Sequence, residues 1–538
     1  MHMLRICFAT FPLDRRYPNE GPDRERIVVE KVADLSELRE DRGLRVEIAD
    51  KKILLVRDGD AVRAYSAVCP HAQAPLEEGA VCNGRIVCPW HKATFRVSDG
   101  ALLEPPALDG LARYPVRVDG EAVFVEAIEI EQPKPTAPPE QRTFLIVGAG
   151  AAGATAAAAL REFGFGGRIL LVGGEPGLPF DRICLSKFVV AGQMPSSEIP
   201  PLLPNEFYHA HAIERIEAEI SRLDVARREA ILADGRRLTF DRALIATGGV
   251  PKPLDIPGAK LPGVHMLRSR EDASAILADV RPGARAVILG SSFIGLEVAS
   301  SLRQQKAKVS VVSPDAAPFV RQFGTRIGQS FRVLHEAHGV EFHSRTRAAK
   351  LDGATRVEAV MLEDGRRLPA DLVIVGVGVR PATGFIEGVE REKDGGLAVD
   401  ASMRVAPDVY AAGDIAAFPL PGDGARTRIE HWRVAQQQAR VAAANMCGGS
   451  VVYEGVPFFW TYHYGQNFEY LGHAETWDDE VVDGEIERQN FVALLLRRQQ
   501  VAAVVACGRQ RTTAALTERM REPLPVEEAL TIIEATSA

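Results

Sequence analysis

The sequence contains no CxxC or CxxxxC pair, so a redox dithiol is not expected anywhere along it. Its seven cysteines (Cys7, Cys69, Cys82, Cys88, Cys184, Cys447 and Cys507) are scattered over 538 residues. That spread argues against a disulfide framework and for a reducing compartment, the cytoplasm. No uninterrupted apolar stretch nears the roughly 18–20 residues that cross a bilayer; the alanine-rich run after Gly153 stops at Arg161. The opening MHMLRICFATFPLDRR has some basic and apolar character but no long apolar core with a small-residue cleavage site. A secretory signal is therefore not expected, and only a weak organelle-targeting reading is left. Positive charge is not in excess: the formal net charge is -8, which gives no electrostatic reason to expect nucleic acid. No two-histidine, one-carboxylate motif for mononuclear iron is evident, which counts against an oxygenase acting on substrate at iron.

A chain of this length exceeds one hydrophobic core and implies about three or four compact units. From Arg26 to about Ala127 it reads as short strands and turns. ILLVRDGDAVRAYSAV is two apolar runs around Asp58-Gly59-Asp60, and PVRVDGEAVFVEA repeats the pattern around Asp119-Gly120. Next comes EQPKPTAPPEQR, whose Pro133, Pro135, Pro138 and Pro139 favour an extended, semi-rigid spacer. TFLIVGAGAAGATAAAALREFG then predicts a buried strand, a glycine turn and a helix, and ARAVILGSSFIGLEVASSLRQQ followed by KVSVVS repeats that grammar. After about Gly448 aromatic-rich β segments (VPFFWTYHYG, FVALLLRR, VAAVVAC) mark a third kind of domain.

Three constellations carry chemistry. Cys69 and His71 form CxH, and Cys88 and His91 form CxxH. Two thiolates on one iron and two imidazoles on the other suit a [2Fe-2S] centre of about -150 to +300 mV; tetrahedral zinc is the alternative for the same four donors. Gly148, Gly150 and Gly153 spell GxGxxG between strand and helix, where a pyrophosphate can approach backbone N–H groups. Glu175, after the next strand, is the acid for a ribose diol. Gly290, Ser292 and Gly295 repeat the motif for a nicotinamide dinucleotide, with the Ser292 hydroxymethyl narrowing the approach. After the next strand stand Ser313 and, two residues on, Asp315; no arginine sits at that turn, which favours NADH over NADPH.

CPHAQAPL, CPWH, GAGAAG, FDRICLSK, ATGG, HMLRSREDA, FIGLEVA, PATGF, AAGDIAAFPL, EHWRVAQQQARVAAANM and PFFW together carry a resemblance over nearly the whole chain. It resembles the Rieske-containing branch of the apoptosis-inducing factor-like family, related to the ferredoxin reductases of bacterial oxygenase systems. The resemblance implies a multi-domain α/β and β fold. Its expected parts are a Rieske β module over 26–128, a proline-rich linker over 129–141, and an FAD-binding domain over 142–252 and 370–447. An NAD(P)H-binding domain over 253–369 and an α+β reductase or dimerisation-like domain over 448–538 complete it, both nucleotide domains being Rossmann-like three-layer ββα units of the glutathione-reductase kind.

The same resemblance implies roles. Ala74 and Trp90 stand where respiratory Rieske proteins place an inter-loop disulfide, so a disulfide-free ferredoxin type at the low end of the potential range is implied; Cys82 reads as a buried spectator. Relatives carry the ribose acid one position earlier, where this chain has Gly174. Lys187 would lie near the isoalloxazine N5, Glu297 near the nicotinamide, Arg268 on the FAD phosphates, Asp414 on the ribityl chain and Trp432 over the flavin. Cys184 stands where relatives have proline and is expected to be structural. PFFWTYHYG lacks the acidic continuation of many oxygenase reductases, leaving Trp460 as an interface or core aromatic. The implied activity takes hydride from NAD(P)H at FAD and passes single electrons through the fused cluster to an unknown one-electron acceptor protein, the spacer letting the cluster module swing. The rival is an NADH-responsive signalling flavoprotein with slow turnover; a homodimer is compatible with both.

Overall fold

A computed structural model describes residues 29–131, 138–421, 424 and 426–537. The opening segment, Arg26, Cys7, and Pro133 and Pro135 of the spacer lie outside the described residues.

The first module is built from three antiparallel sheets. Lys51–Asp58 and Ala61–Ser66 pair across the Gly59 turn, as their alternating apolar residues and Asp-Gly-Asp connection require. Leu44–Ile48 and Arg113–Tyr114 flank them. Val29–Asp34 and Val116–Asp119 pair on either side of Ala122–Glu126. A smaller sheet, Ala80–Cys82, Arg85–Val87, Thr94–Arg96 and Leu102–Glu104, carries the second cysteine loop, and Tyr65, Ile86 and Phe95 fill the core between the layers.

The second unit is a six-stranded sheet in the order Ile213–Glu217, Arg168–Gly173, Thr143–Val147, Arg242–Ile245, Val409–Ala411, Arg404–Ala406. All neighbours are parallel except the last pair. Strands buried on both faces read as continuous apolar runs, and FLIV and ILLV do so. The helices Ala151–Glu162 and Trp432–Met446 pack on this sheet and on each other; the small residues of the first allow the close approach.

The third unit is a five-stranded parallel sheet in the order Val264–His265, Leu372–Val375, Arg285–Leu289, Lys308–Ser313, Val340–Ser344. Leu372–Val375 lies inside this sheet, so the expected return to the FAD domain at residue 370 comes too early. The crossing is made by the antiparallel pair Gly249–Pro251 and Val379–Pro381. A run such as LVIV fits the centre of either sheet equally well, and hydrogen bonding to Arg285–Leu289 decides it. The last unit is a five-stranded antiparallel sheet, Phe458–His463 to Asp479–Glu485, with helices Gln510–Arg519 and Val526–Ser537. No described helix is long and apolar enough to cross a membrane.

Candidate functional site

The two cysteine loops are built alike. The Cys69 N–H donates to Ala74 O and the Cys88 N–H to Ala93 O, both at 2.9 Å, and Gln73 and Lys92 turn each chain through φ of 60°. Both thiols are buried and unbridged. The hydrogen bond that Cys69 donates to Cys88, then burial, pushes Cys69 well above its usual pKa. At Cys88 burial pushes upward too, but Cys69 and the backbone N–H groups of His91 and Trp90 bring it below its usual value. Burial holds His71 down at about 4 and His91 well below its usual value, so both imidazoles are neutral. Their ring centres are 4.9 Å apart, and each Nδ1 is buried without a hydrogen-bond partner. The donors are thus gathered as two pairs, sulfur with sulfur and imidazole with imidazole. No three of the described His, Cys, Asp or Glu side chains surround one ion position. Paired ligands with two orphaned imidazole nitrogens fit a [2Fe-2S] cluster.

These histidines line a cavity of about 660 Å³ shared with the first glycine turn. At Gly148, φ is +110° and a side chain would meet Ala246 O at 2.2 Å; at Gly153 it would meet Gly148 O at 1.8 Å, so both are packing glycines. Around the Cβ position of Gly150 there is open space, which lets a pyrophosphate reach the helix N-terminus. Glu175 faces the same cavity, paired with Arg182, and its Oε1 is buried without a partner, as a ribose hydroxyl would require. Arg268 and Asp414 line it 3.5 Å apart, with Trp432 beside them. His431 lines it as well, its Nδ1 buried and unpartnered and its pKa held at about 3 by burial. Orphaned polar atoms around an open glycine turn fit a bound dinucleotide. Sequence reasoning missed Arg182 and His431; both sit in quoted motifs but carry no spacing signal.

Lys187 is buried on a π-helical turn, Leu185–Val189, and its Nζ lies 2.9 Å from Glu297 Oε1. Glu297 also accepts from Ser186 at 2.6 Å and from Thr461 at 2.7 Å. The Trp460 ring lies 4.7 Å from Lys187 Nζ and 5.1 Å from the His91 ring. Trp460 therefore touches both the lysine and a cluster ligand, a placement the sequence did not assign.

The second glycine turn lies outside the cavity lining, which it reaches through Phe293, Ile294 and Glu297 of the helix that follows. Ser292 caps that helix: its Oγ accepts from the Gly295 N–H and donates to Gly376 O at 3.0 Å. The hydroxymethyl is folded into the protein rather than across the pyrophosphate approach, contrary to expectation. Ser313 is buried, bonded to Ser291 Oγ at 2.8 Å. No arginine stands at this turn in the sequence, but the fold brings two to it: the Arg345 N–H donates to Asp315 O at 3.4 Å, and the next helix brings Arg321 to 3.7 Å from Asp315. Cys184 is buried in the apolar core, as expected; Cys82 is only half-buried, against the C-terminal helix at Ala514.

A pyridine nucleotide-disulphide oxidoreductase model matches residues 142–439, more than half of the chain. The chain belongs to that family. A Rieske [2Fe-2S] domain model matches residues 28–115 and a reductase C-terminal model residues 458–534, which sets zinc aside. This oxidoreductase is 34% identical to apoptosis-inducing factor 3 of Mus musculus over 91% of its own length and 83% of the relative's. It is 37% identical to the ferredoxin–NAD(+) reductase component of the biphenyl dioxygenase system of Paraburkholderia xenovorans, over 66% of this chain and 86% of that one. Its fold matches the reductase in the covalent putidaredoxin reductase–putidaredoxin complex with a TM-score of 0.69 at 30% identity, covering 74% of this chain and 99% of that one. It is a ferredoxin-reductase-like enzyme of FAD and NAD(P)H with its own Rieske [2Fe-2S] domain.

The oxidoreductase clamps its cluster module from two sides. Lys92 and Glu469, 0% and 2% exposed, pair at 3.0 Å between the second cysteine loop and the C-terminal sheet. Burial lowers the lysine's pKa and raises the glutamate's, each against its partner's pull. Arg433, on the first turn of a flavin-domain helix, donates to Lys92 O and Pro105 O at 2.9 Å and to Val456 O at 3.0 Å, and pairs with Glu104. Arg85 meets Glu518 at 3.1 Å. The swing expected from the spacer has to break these buried contacts.

Proposed function

We propose that the protein oxidises NAD(P)H and delivers the electrons one at a time to an external one-electron acceptor protein, with its own FAD and Rieske cluster between them. When bound, these groups supply two-electron and one-electron redox chemistry respectively. A lysine ammonium near the bound flavin would favour its reduced anionic form, and Glu297 holds Lys187 in place for that role. Gly148, Gly150, Gly153, Glu175, Arg268, Asp414 and Trp432 hold FAD; Gly290, Ser292, Gly295 and Glu297 position the nicotinamide nucleotide. Cys69, Cys88, His71 and His91 hold the cluster. The observation that carries the reading is that Lys187, Trp460 and the cluster ligands His71 and His91 line one cavity with the first glycine turn, Trp460 lying within about 5 Å of both Lys187 Nζ and the His91 ring.

Anaerobic titration with NADH tests it. Flavin bleaching should be followed by the rhombic EPR signal of a reduced Rieske centre, and bleaching without that signal removes the intramolecular route. A second reading, slow turnover coupled to an NADH-dependent change of oligomeric state, is favoured by the near full-length likeness to apoptosis-inducing factor 3. A mass shift on adding NADH with negligible reduction of artificial acceptors would select it.

A further inference from the structure

Oxidising one NADH and placing two single electrons on iron balances only if one proton leaves: NADH gives NAD+, two electrons and H+. The Lys187 end of the cavity is bordered by Trp460, Phe459 and the cluster ligand His91. The proton therefore needs a route that the cluster module does not block. One line of side chains leads away from it. Thr461 Oγ1 donates to Glu297 Oε1 at 2.7 Å and lies 2.9 Å from His463 Nε2. His463 Nδ1 lies 3.3 Å from His335 Nε2, and His335 Nδ1 lies 3.2 Å from the Tyr464 hydroxyl. Glu297, Thr461, His463 and His335 are all buried, whereas Tyr464 is part-exposed and its ring stacks at 3.7 Å on the exposed His338.

We propose that Glu297, Thr461, His463, His335 and Tyr464 form a proton relay between the flavin cavity and the surface beside His338. This rests on the function proposed above. Every intermediate member can both give and accept a proton, so the line has no dead end. A carboxylate only accepts, which fixes the resting tautomers: Thr461 O–H points to Glu297, His463 carries its proton on Nε2, His335 on Nε2, and Tyr464 donates to His335 Nδ1. Burial holds His463 at about 3 and His335 well below its usual value, so both rings stay neutral and pass a proton rather than store one. Once Glu297 has taken a proton from the cavity and both imidazoles have exchanged to their Nδ1–H tautomers, Glu297 gives its proton to Thr461 Oγ1 and Thr461 gives its own to His463 Nε2. His463 Nδ1 then gives to His335 Nε2 and His335 Nδ1 to Tyr464, which releases its hydroxyl proton to surface water and leaves every member in its resting form. The line draws on the second nucleotide domain and on the TYHY segment that follows Trp460.

The test uses the complete holoenzyme in weakly buffered solution, mixed under anaerobic conditions with NADH and a limiting amount of ferricyanide, which takes single electrons without taking protons, and followed by flavin absorbance, cluster absorbance and a pH-indicating dye. Thr461→Val removes the hydroxyl with little change of shape; Thr461→Ser keeps it. In Thr461→Val the cluster should still reach full reduction, while proton appearance at the dye slows at least tenfold; Thr461→Ser should restore it to within about twofold. A second readout needs no turnover. In 15N-histidine NMR of the resting protein His335 and His463 should each carry one ring proton, and Thr461→Val should shift the His463 Nε2 resonance. Unchanged proton release in Thr461→Val beside normal cluster reduction, or a doubly protonated His463, overturns the relay. Absence of cluster reduction in the unsubstituted protein removes the underlying function, and the relay with it.

Discussion

Replacing Glu469 by Gln leaves the Lys92 ammonium buried, with the Pro89 carbonyl as its remaining acceptor. Removing one partner of a buried ion pair costs about 3–5 kcal/mol, because the other charge is stranded away from water. Lys92 and Glu469 belong to different modules, so undocking lets water reach the lysine, and the penalty falls on docking rather than on either fold. At about 1.4 kcal/mol per factor of ten, the docked fraction should fall roughly 10²- to 10³-fold relative to the undocked. Stopped-flow mixing with NADH reads this directly: flavin bleaching should keep its rate, while cluster reduction slows by a comparable factor. Protease cleavage near Pro138 should become faster. The double variant Lys92→Met/Glu469→Leu, which places two apolar groups beside Phe458, should recover most of the loss. Parental cluster reduction and parental protease resistance in Glu469→Gln would refute the claim that this pair holds the modules together.

Cys88→Ser should yield a yellow protein that has lost iron and the EPR signal but keeps FAD, measured by iron content and flavin fluorescence. Gly153→Ala forces a methyl to within 1.8 Å of Gly148 O, so it should lose flavin and about 1–3 kcal/mol of stability in thermal unfolding. Burial raises the Glu518 carboxyl to about 7, outweighing the pull of Arg85 and Arg433. The native state thus binds this proton more tightly than the unfolded chain. Its contribution, up to about 3 kcal/mol, is present below about pH 4.5 and lost as pH rises through about 7, and Glu518→Gln should flatten that slope in melting temperature. Asp315→Ala should raise kcat/KM for NADPH relative to NADH, because it removes the carboxylate and leaves Arg321 free to meet a 2′-phosphate.

Short-range features were legible in the sequence. The two cysteine loops, the first glycine turn and the hairpins around Gly59 and Gly120 depend on residues within a few positions of one another, and they stand where spacing puts them. What escaped depends on contacts between distant segments. Lys92 and Glu469 are 377 residues apart, and neither carries a motif. Trp460 becomes informative only when Lys187 and His91 are both brought against it. Leu372–Val375 is apolar enough for either nucleotide sheet, and Ser292 looks like a blemish in a glycine motif until its hydroxyl is seen capping a helix.

The Arg433 guanidinium spends its donors on carbonyls of the cluster module and of the segment leading into the last domain, while its backbone belongs to the flavin lobe. A protein trimmed at the spacer to imitate a stand-alone reductase would keep the arginine but lose Pro105, Lys92 and Glu104. Its helix start, next to Trp432, would then present to water a guanidinium whose remaining partner among these is Val456 O. Modular as the chain looks when read end to end, its parts are not interchangeable cassettes: the flavin half has been shaped around its neighbour, and grafting either piece elsewhere means redesigning this one corner first.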